Sequence, residues 1–202
     1  MIRTKKVDTR TRIVEKAIEL FHEKDCDSVA VKDICDAAGV TRNTFYYYFD
    51  SKELLFDAIG DWISRTAKQR LANNIILPSS YYNQIWEIYY FYMLTEVEMG
   101  AEIMNHVCFS RSNKGRADYY SYIDNILATK MTKLITLAQD EGQILNHAPA
   151  EELLWTSYAI VRGVNIKWCF QWGESDFISE TAIALNTLFL PAEGYGIDVK
   201  DV

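Results

Sequence analysis

The sequence predicts an all-α protein, and three observations support this fold class. Apolar side chains recur at helical spacing over long stretches of the 202 residues, without the alternation that is typical of strands. Only three prolines interrupt these stretches. Hydrophobic residues make up 49% of the chain, which is enough to bury the core of one or two compact units. The pattern divides into about nine helices.

The first three helices are expected to be closely spaced. After a basic arm at about residues 1–8, a helix is predicted at about 9–24. The next helix has a narrow apolar face made by Val31, Ile34, Cys35 and Ala38. Gly39 readily adopts the left-handed backbone at which a helix ends. The Thr41 hydroxyl can then cap the third helix.

Six further helices are expected to follow. Their approximate ranges are 51–71, 81–98, 101–110, 116–141, 149–172 and 176–190. Pro78 marks a break after the first of them, and residues 193–202 are expected to be unstructured. Seven of the twelve residues from Tyr81 to Tyr92 are aromatic, and they cover nearly every face of their helix. A helix that is apolar all round normally lies in the middle of a bundle.

Residues 31–53 form the most informative segment of the chain. A helix, a tight turn and a second short helix are the elements of the helix-turn-helix, whose second helix enters the major groove of DNA. Val40, Phe45 and Phe49 can point inward. This leaves hydrogen-bonding side chains on the outer face, namely Arg42, Asn43, Thr44, Tyr47 and Tyr48. The segment therefore predicts a DNA-reading surface.

The residues around this segment resemble the DNA-binding domain of the tetracycline-repressor (TetR) family of bacterial transcription regulators. The matching residues are Ile13, Ala17, Leu20, Phe21, Ile34, Ala38-Gly39-Val40, Thr44-Phe45-Tyr46-Tyr47-Tyr48-Phe49 and Ser51-Lys52-Glu53-Leu54. They cover about a quarter of the chain closely. The resemblance implies a helix-turn-helix domain at residues 1–50, joined to a helical ligand-binding and dimerisation bundle at 51–202. We expect the boundary to lie inside the helix that begins near residue 51.

The resemblance also assigns roles on the DNA-reading surface. Base reading falls to the first turn of the third helix, at Arg42, Asn43 and Thr44. Arginine can bond guanine, asparagine can pair with adenine, and the threonine methyl can pack against thymine. Contacts to DNA phosphates are expected from Tyr46, Tyr47, Tyr48 and Lys52. Lys32 lies where the family often touches the backbone or a base, and Thr41 is also expected at the DNA. For Tyr46 a structural role is an equally open alternative.

Two positions depart from the family pattern. Asn43 stands where glycine is common in the third helix, and Ala30 stands where a threonine usually caps the second helix. Without that hydroxyl the cap is expected to weaken by about 1 kcal/mol unless Ser28 replaces it.

The net charge of −7 has an uneven distribution. Residues 1–50 hold nine basic and nine acidic side chains, and residues 1–16 hold six basic and two acidic ones. Affinity for phosphates depends on such local basic groups rather than on the overall charge. The charge pattern is therefore compatible with DNA binding at the N-terminal end.

The family's last two helices form a homodimer, and its bundle binds a small molecule. The resemblance implies that two apolar stripes form the dimer interface, made by Trp155, Tyr158, Val161, Trp168, Ile178, Ala182, Leu185 and Phe189. The alternative is that these stripes close the core of the monomer. A palindromic operator read by two recognition helices favours the dimer.

An aromatic cage is a candidate ligand site within the bundle. Its predicted members are Trp86, Tyr89, Tyr90, Met93, Glu96, Phe109, Tyr119, Tyr122 and Ile126. Such a cage suits a flat hydrophobic or cationic ligand. A stripe with this spacing is also common in an ordinary core, so that alternative stays open.

The expected function is a ligand-responsive, DNA-binding repressor that acts as a cytoplasmic homodimer and needs no cofactor. A bundle that responds to a protein partner, a pure ligand carrier or scaffold, and a small helical enzyme acting on an aromatic substrate are alternatives. The enzyme has little support, because His22, His106 and His147 are scattered and no catalytic motif is present. Four cysteines without CxxC spacing indicate reduced thiols and no metal site. No apolar run reaches membrane-spanning length.

Overall fold

The computed structural model describes residues 8–73, 80–109 and 125–199. Within these ranges the chain forms nine α-helices and no β-strand. The helices are α1 Thr9–Glu23, α2 Val31–Ala38, α3 Arg42–Tyr48, α4 Lys52–Asn73, α5 Tyr81–Met99, α6 Ala101–Phe109, α7 Asn125–Asp140, α8 Ala150–Phe170 and α9 Phe177–Phe189. The all-α prediction is confirmed. None of these helices is both long and apolar enough to cross a membrane.

The three N-terminal helices pack around a small apolar core. Ile13 and Ala17 of α1, Ile34 of α2 and Phe45 of α3 are each fully buried. Their spacing places one apolar face of every helix toward the others, so the outer face of α3 stays polar. The α1–α2–α3 unit is the expected helix-turn-helix domain.

The second helix begins without a side-chain cap. Ala30 lies at the N-cap position, where its methyl group cannot accept a hydrogen bond. The Ser28 hydroxyl does not replace it, because that group donates to the carbonyl of Asp25 at 2.7 Å. The Asp33 carboxylate still accepts from the Ala30 N–H at 2.9 Å, so half of a capping box is present.

We therefore expect Ala30→Ser to raise the free energy of unfolding by about 1 kcal/mol, because the new hydroxyl can accept from an orphan N–H of the first turn of α2. Urea unfolding of the two proteins measures this difference. Ala37→Ser, at an exposed position inside α2, is the matched control. It is expected to lower stability slightly, since serine is a poorer helix former than alanine. An equal effect of both substitutions would contradict the capping explanation.

The aromatic helix α5 lies at the centre of the larger bundle, as predicted. It packs against α4, α6, α7 and α9. Tyr82, Ile85 and Met93 are fully buried. The helix α4 packs against both α1 and α5, so it connects the helix-turn-helix domain with the bundle. Its uninterrupted course from Lys52 to Asn73 fits the expected boundary, which stays a prediction.

Two helix predictions need comment at their ends. The part of the predicted helix 116–141 that precedes Asn125 lies outside the described residues. The helix α8 ends at Phe170, before the predicted end at residue 172. Trp172 and Gly173 both have positive φ values, 52° and 85°, so the chain reverses there.

The C-terminal tail is more ordered than predicted. Ile197 is buried, and its N–H donates to the side-chain oxygen of Asn186 at 3.1 Å. The Asn186 amide in turn donates to the Ile197 carbonyl at 2.9 Å. One buried isoleucine among polar and glycine residues gave too weak a pattern for the sequence to reveal this contact.

Candidate DNA-binding surface, ligand cavity and dimer surface

The turn before α3 has the geometry that a helix-turn-helix requires. Gly39 has φ 62° and ψ 40°, a left-handed conformation that side-chain-bearing residues adopt at a cost. Its N–H donates to the carbonyl of Asp36 at 3.3 Å. Thr41 then caps α3, since its hydroxyl oxygen accepts from the N–H of Thr44 at 3.1 Å. The turn and cap together fix the direction in which α3 leaves the domain.

The outer face of α3 presents its polar side chains to solvent. Arg42 and Asn43 are exposed, and Thr44 and Tyr48 are partly so. Tyr46 is 50% exposed and Tyr47 is 82% exposed. Lys32 on α2 and Thr41 at the turn are also exposed. The structure thus brings eight of the nine predicted DNA-binding residues onto the outer surface of the helix-turn-helix.

Lys52 lies differently from its predicted position at a phosphate. Its ammonium group donates to the backbone carbonyl of Cys26 and lies 5.7 Å from the centre of the Phe21 ring. These contacts join the start of α4 to the α1–α2 connection. The phosphate role predicted for Lys52 therefore has no support in this geometry.

A small cavity lies between α5, α7 and α8. Its volume is about 30 Å³, which is room for a water molecule or two rather than for an aromatic ligand. The lining residues are Ile88, Tyr89, Tyr92, Met93, Glu96, Leu127, Met131, Tyr158, Val161 and Arg162. Tyr89, Met93 and Glu96 belong to the predicted cage. Any larger ligand requires the helices around the cavity to move apart.

A buried polar network forms one wall of this cavity. The Arg162 guanidinium donates to Glu96 Oε1 at 2.9 Å and to Asn165 Oδ1 at 2.9 Å. The Asn165 amide donates to Glu96 Oε2 at 3.0 Å. Glu96 is only 2% exposed and Arg162 only 9%. The two charges compensate each other at a site from which water is largely excluded.

Several predicted cage residues do not line the cavity. Trp86 and Tyr90 pack against each other, with ring centres 6.0 Å apart. Phe109 is 47% exposed and packs on Phe170, and Ile126 is 82% exposed. Tyr119 and Tyr122 lie outside the described residues.

The cavity residues that the sequence reasoning missed come mainly from α7 and α8. The burial of Arg162 could have been predicted, because Tyr158, Arg162, Asn165 and Cys169 follow helical spacing on one face of α8. An arginine and an asparagine within an apolar stripe indicate a buried polar partner. For Leu127 and Met131 no sequence pattern predicts a position at the cavity.

The predicted dimer stripes point mainly into the monomer. Tyr158, Val161, Trp168, Ala182, Leu185 and Phe189 are all buried within the single chain, and Ile178 is partly buried. Only Trp155 is substantially exposed, at 48%. These buried residues therefore close the core of the monomer, which was the alternative to a dimer interface.

The opposite faces of α8 and α9 are exposed and largely apolar. On α8 this surface contains the exposed Trp155, Ala159, Gly163 and Phe170 and the partly exposed Ile160, and on α9 it contains the exposed Ile183 and Thr187 and the partly exposed Ala184. Lys167 of α8 pairs with Glu180 of α9 at 2.7 Å, so the two helices present one continuous surface. We call this the α8–α9 surface.

Comparison with known proteins places the helix-turn-helix in a family. The family model described as "Bacterial regulatory proteins, tetR family" matches residues 13–59. Residues 13–59 thus match the DNA-binding domain of the TetR family. Two curated relatives also match part of the chain. The HTH-type transcriptional repressor KstR2 of Rhodococcus jostii is 42% identical over 50 residues, and the regulator UidR of Escherichia coli is 40% identical over 58 residues.

Each of these curated matches covers only a part of the chain. The KstR2 match covers 25% of this chain and 24% of KstR2, and the UidR match covers 29% and 30%. The chain thus spans only about a quarter to a third of the curated relatives that it matches. By their names, KstR2 is a transcriptional repressor and UidR a transcriptional regulator.

Two solved structures share the fold over about nine tenths of the chain. The Thermus thermophilus repressor FadR, bound to lauroyl-CoA, has a TM-score of 0.60 with 16% identity, covering 89% of this chain and 92% of FadR. The complex of SmeT with triclosan has a TM-score of 0.61 with 19% identity, covering 94% of both chains. At this identity the likeness establishes the fold, an N-terminal helix-turn-helix domain followed by a helical bundle.

Proposed function

We propose that this protein is a transcriptional repressor that leaves a palindromic operator when a small molecule binds in its helical bundle. The observation that carries the proposal is the outer face of α3, where Arg42 and Asn43 are exposed at the first turn of a helix held by Gly39 and the Thr41 cap. Helices with this placement read base edges in the major groove. The cytoplasm, where the chromosome of a bacterium lies, is the proposed place of action.

A homodimer is part of the proposal. The α8–α9 surface is apolar, continuous and on the outside of the monomer, and two such helix pairs pack together as a four-helix interface. A dimer presents two α3 helices to two successive major grooves, which matches a palindrome.

The polar contacts between α4 and α5 give a physical route from ligand to DNA. Arg70 of α4 donates to Glu98 of α5 at 2.5 Å and to the Thr95 hydroxyl at 3.5 Å. Thr95 directly precedes Glu96 of the cavity wall. A ligand that separates α5 from α7 and α8 therefore acts on the helix that also packs against α1. Ligand must bind the DNA-releasing arrangement more tightly than the DNA-binding one, or the populations do not shift.

The cavity chemistry favours a hydrophobic or aromatic effector with a polar or charged end. Its walls are apolar apart from the Glu96–Arg162 pair and the tyrosines. The lauroyl-CoA and triclosan in the related structures each combine a hydrophobic part with a polar group. A protein partner in place of a small molecule is the second candidate, and the small cavity volume favours it. Release from the operator by a hydrophobic compound in a screen would decide for the small molecule.

The test of DNA reading compares wild type with Arg42→Ala on operator sequences selected from random DNA. We expect wild type to select a palindrome. Arg42→Ala is expected to lose about 1–3 kcal/mol of discrimination per half-site at one base position, because a bidentate contact to guanine contributes that much. Arg65→Ala, at an exposed position on α4, is the matched control and should keep the wild-type preference. Selection of no sequence by wild type, even at low salt, would overturn the proposal.

A further inference from the structure

A cluster of metal-binding side chains lies where the α1–α2 connection meets α6. Cys26, Glu102 and His106 place one donor atom each within 4.8 Å of one another. Cys26 is fully buried, whereas Glu102 and His106 are partly exposed. Residue 26 belongs to the helix-turn-helix domain and residues 102 and 106 to the bundle, so the cluster spans the junction between them.

The donor set is one that zinc-type ions prefer. A thiolate, an imidazole and a carboxylate are all ligands of Zn²⁺, with bonds of about 2.0–2.3 Å in tetrahedral geometry. Such bonds place neighbouring donor atoms about 3.3–3.8 Å apart, so about 1 Å of closure brings the three onto one ion. Asp27 lies outside this group of three, but its Oδ1 is 3.9 Å from His106 Nε2, so its exposed side chain must turn toward the ion to supply a fourth ligand.

Surrounding contacts hold these side chains in place. The Cys26 N–H donates to Glu102 Oε1 at 2.6 Å, which fixes that carboxylate beside the thiol. The His106 ring stacks on Phe56 with centres 4.7 Å apart. Lys52 donates to the Cys26 carbonyl, which fixes the backbone at this residue. Contacts that orient the ligands are typical of sites built for a metal.

Ions have a path to the cluster from solvent. An open cavity of about 530 Å³ is lined by Asp27, Lys52, Glu53, Phe56, Asn105, His106 and Phe109. Two of the four candidate ligands, Asp27 and His106, thus lie on its wall.

We propose that Cys26, Glu102 and His106, completed by Asp27, bind a divalent transition-metal ion of the zinc type. The ion ties the α1–α2 connection to α6 and so restricts the movement between the DNA-binding domain and the bundle. Its regulatory consequence rests on the proposed function: metal changes operator affinity because it favours one arrangement of the two domains. Metal binding itself does not depend on that function.

A hydrogen-bonded cluster without metal is the competing explanation. Burial, together with the neighbouring Glu102, raises the pKa of the Cys26 thiol to about 12, so without metal this thiol keeps its proton. A metal ion must displace that proton, as thiol ligands generally require.

The test uses the untagged full chain, freed of metal with a chelator and titrated with Co²⁺. We expect one Co²⁺ per chain, with a thiolate-to-cobalt charge-transfer absorption and tetrahedral visible bands. Cys26→Ser should abolish the charge-transfer band, and His106→Gln should weaken binding by at least about tenfold. Cys35→Ser, another buried thiol, and His147→Gln, an exposed histidine, are the matched controls and should bind as wild type does. Failure to bind, or a band that survives Cys26→Ser, overturns the site.

A second measurement separates the site from its regulatory consequence. Operator affinity is determined for the metal-free protein with and without Zn²⁺, for wild type and His106→Gln. A change in wild type that is lost in His106→Gln supports coupling. If Zn²⁺ leaves the operator affinity of wild type unchanged, the coupling between metal and DNA binding is overturned. The metal site itself is still tested by the cobalt spectrum. Absence of operator binding in both conditions instead overturns the proposed repressor.

Discussion

Arg162→Met is expected to lower the free energy of unfolding by about 3–5 kcal/mol, because it leaves the Glu96 carboxylate buried without its cation. Methionine is similar in length to arginine and apolar, so the loss reflects the uncompensated charge more than an empty volume. Asn165 still donates to Glu96 Oε2 at 3.0 Å, but a neutral amide replaces only part of the interaction. Chemical denaturation measures the loss directly.

A second substitution distinguishes charge from packing. Glu96→Gln in the Arg162→Met background removes the stranded charge and keeps the side-chain volume. The double variant is expected to be more stable than Arg162→Met alone. Two independent packing defects would instead add, so that the double variant would be the less stable of the two. Arg65→Met, at an exposed position on α4, is the matched control and should change stability by less than about 0.5 kcal/mol. A loss below about 1 kcal/mol in Arg162→Met would show that the pair is not needed.

The helix-turn-helix could be predicted from the sequence because its determinants are local. Gly39 sets the turn, Thr41 caps the next helix, and the three inward positions Val40, Phe45 and Phe49 follow from helical spacing. Each of these features acts over a few residues, so no knowledge of distant neighbours is needed. The exposed positions of Arg42 and Asn43 follow from the same spacing.

The inward faces of the bundle helices could not be predicted in the same way. In α8 both faces are rich in apolar side chains, with Tyr158 and Trp168 on one and Trp155 and Phe170 on the other. Helical periodicity identifies the apolar stripes of α8 but not which of the two faces the core. The neighbouring helices decide which stripe is buried, and the sequence of α8 does not reveal their positions.

The Cys26–Glu102–His106 cluster escaped prediction for a related reason. Glu102 and His106 follow Cys26 by 76 and 80 residues, and the spacing of four residues between them is too common in helices to mark a metal site by itself. Only the packing of α4 against both α1 and α6 brings them together.

Ile183→Glu is expected to convert the proposed dimer into a monomer and to weaken operator binding by at least about 100-fold. Ile183 is 55% exposed in the single chain and belongs to the α8–α9 surface. In a dimer it would be covered by the partner, and burying an unpaired carboxylate there costs several kcal/mol. About 3 kcal/mol already corresponds to about 100-fold. A monomer then engages one half-site at a time, so it loses the advantage of two linked recognition helices.

The measurements are the mass in solution by light scattering and the affinity for the selected operator. Ile126→Glu is the matched control, because Ile126 is 82% exposed on α7 and outside the α8–α9 surface. It should remain dimeric and bind the operator as wild type does. A helical circular dichroism spectrum equal to that of wild type shows that Ile183→Glu has not unfolded the chain, since the substituted side chain faces solvent in the monomer. If Ile126→Glu is monomeric while Ile183→Glu stays dimeric, the dimer forms through another face and the α8–α9 surface has a different role.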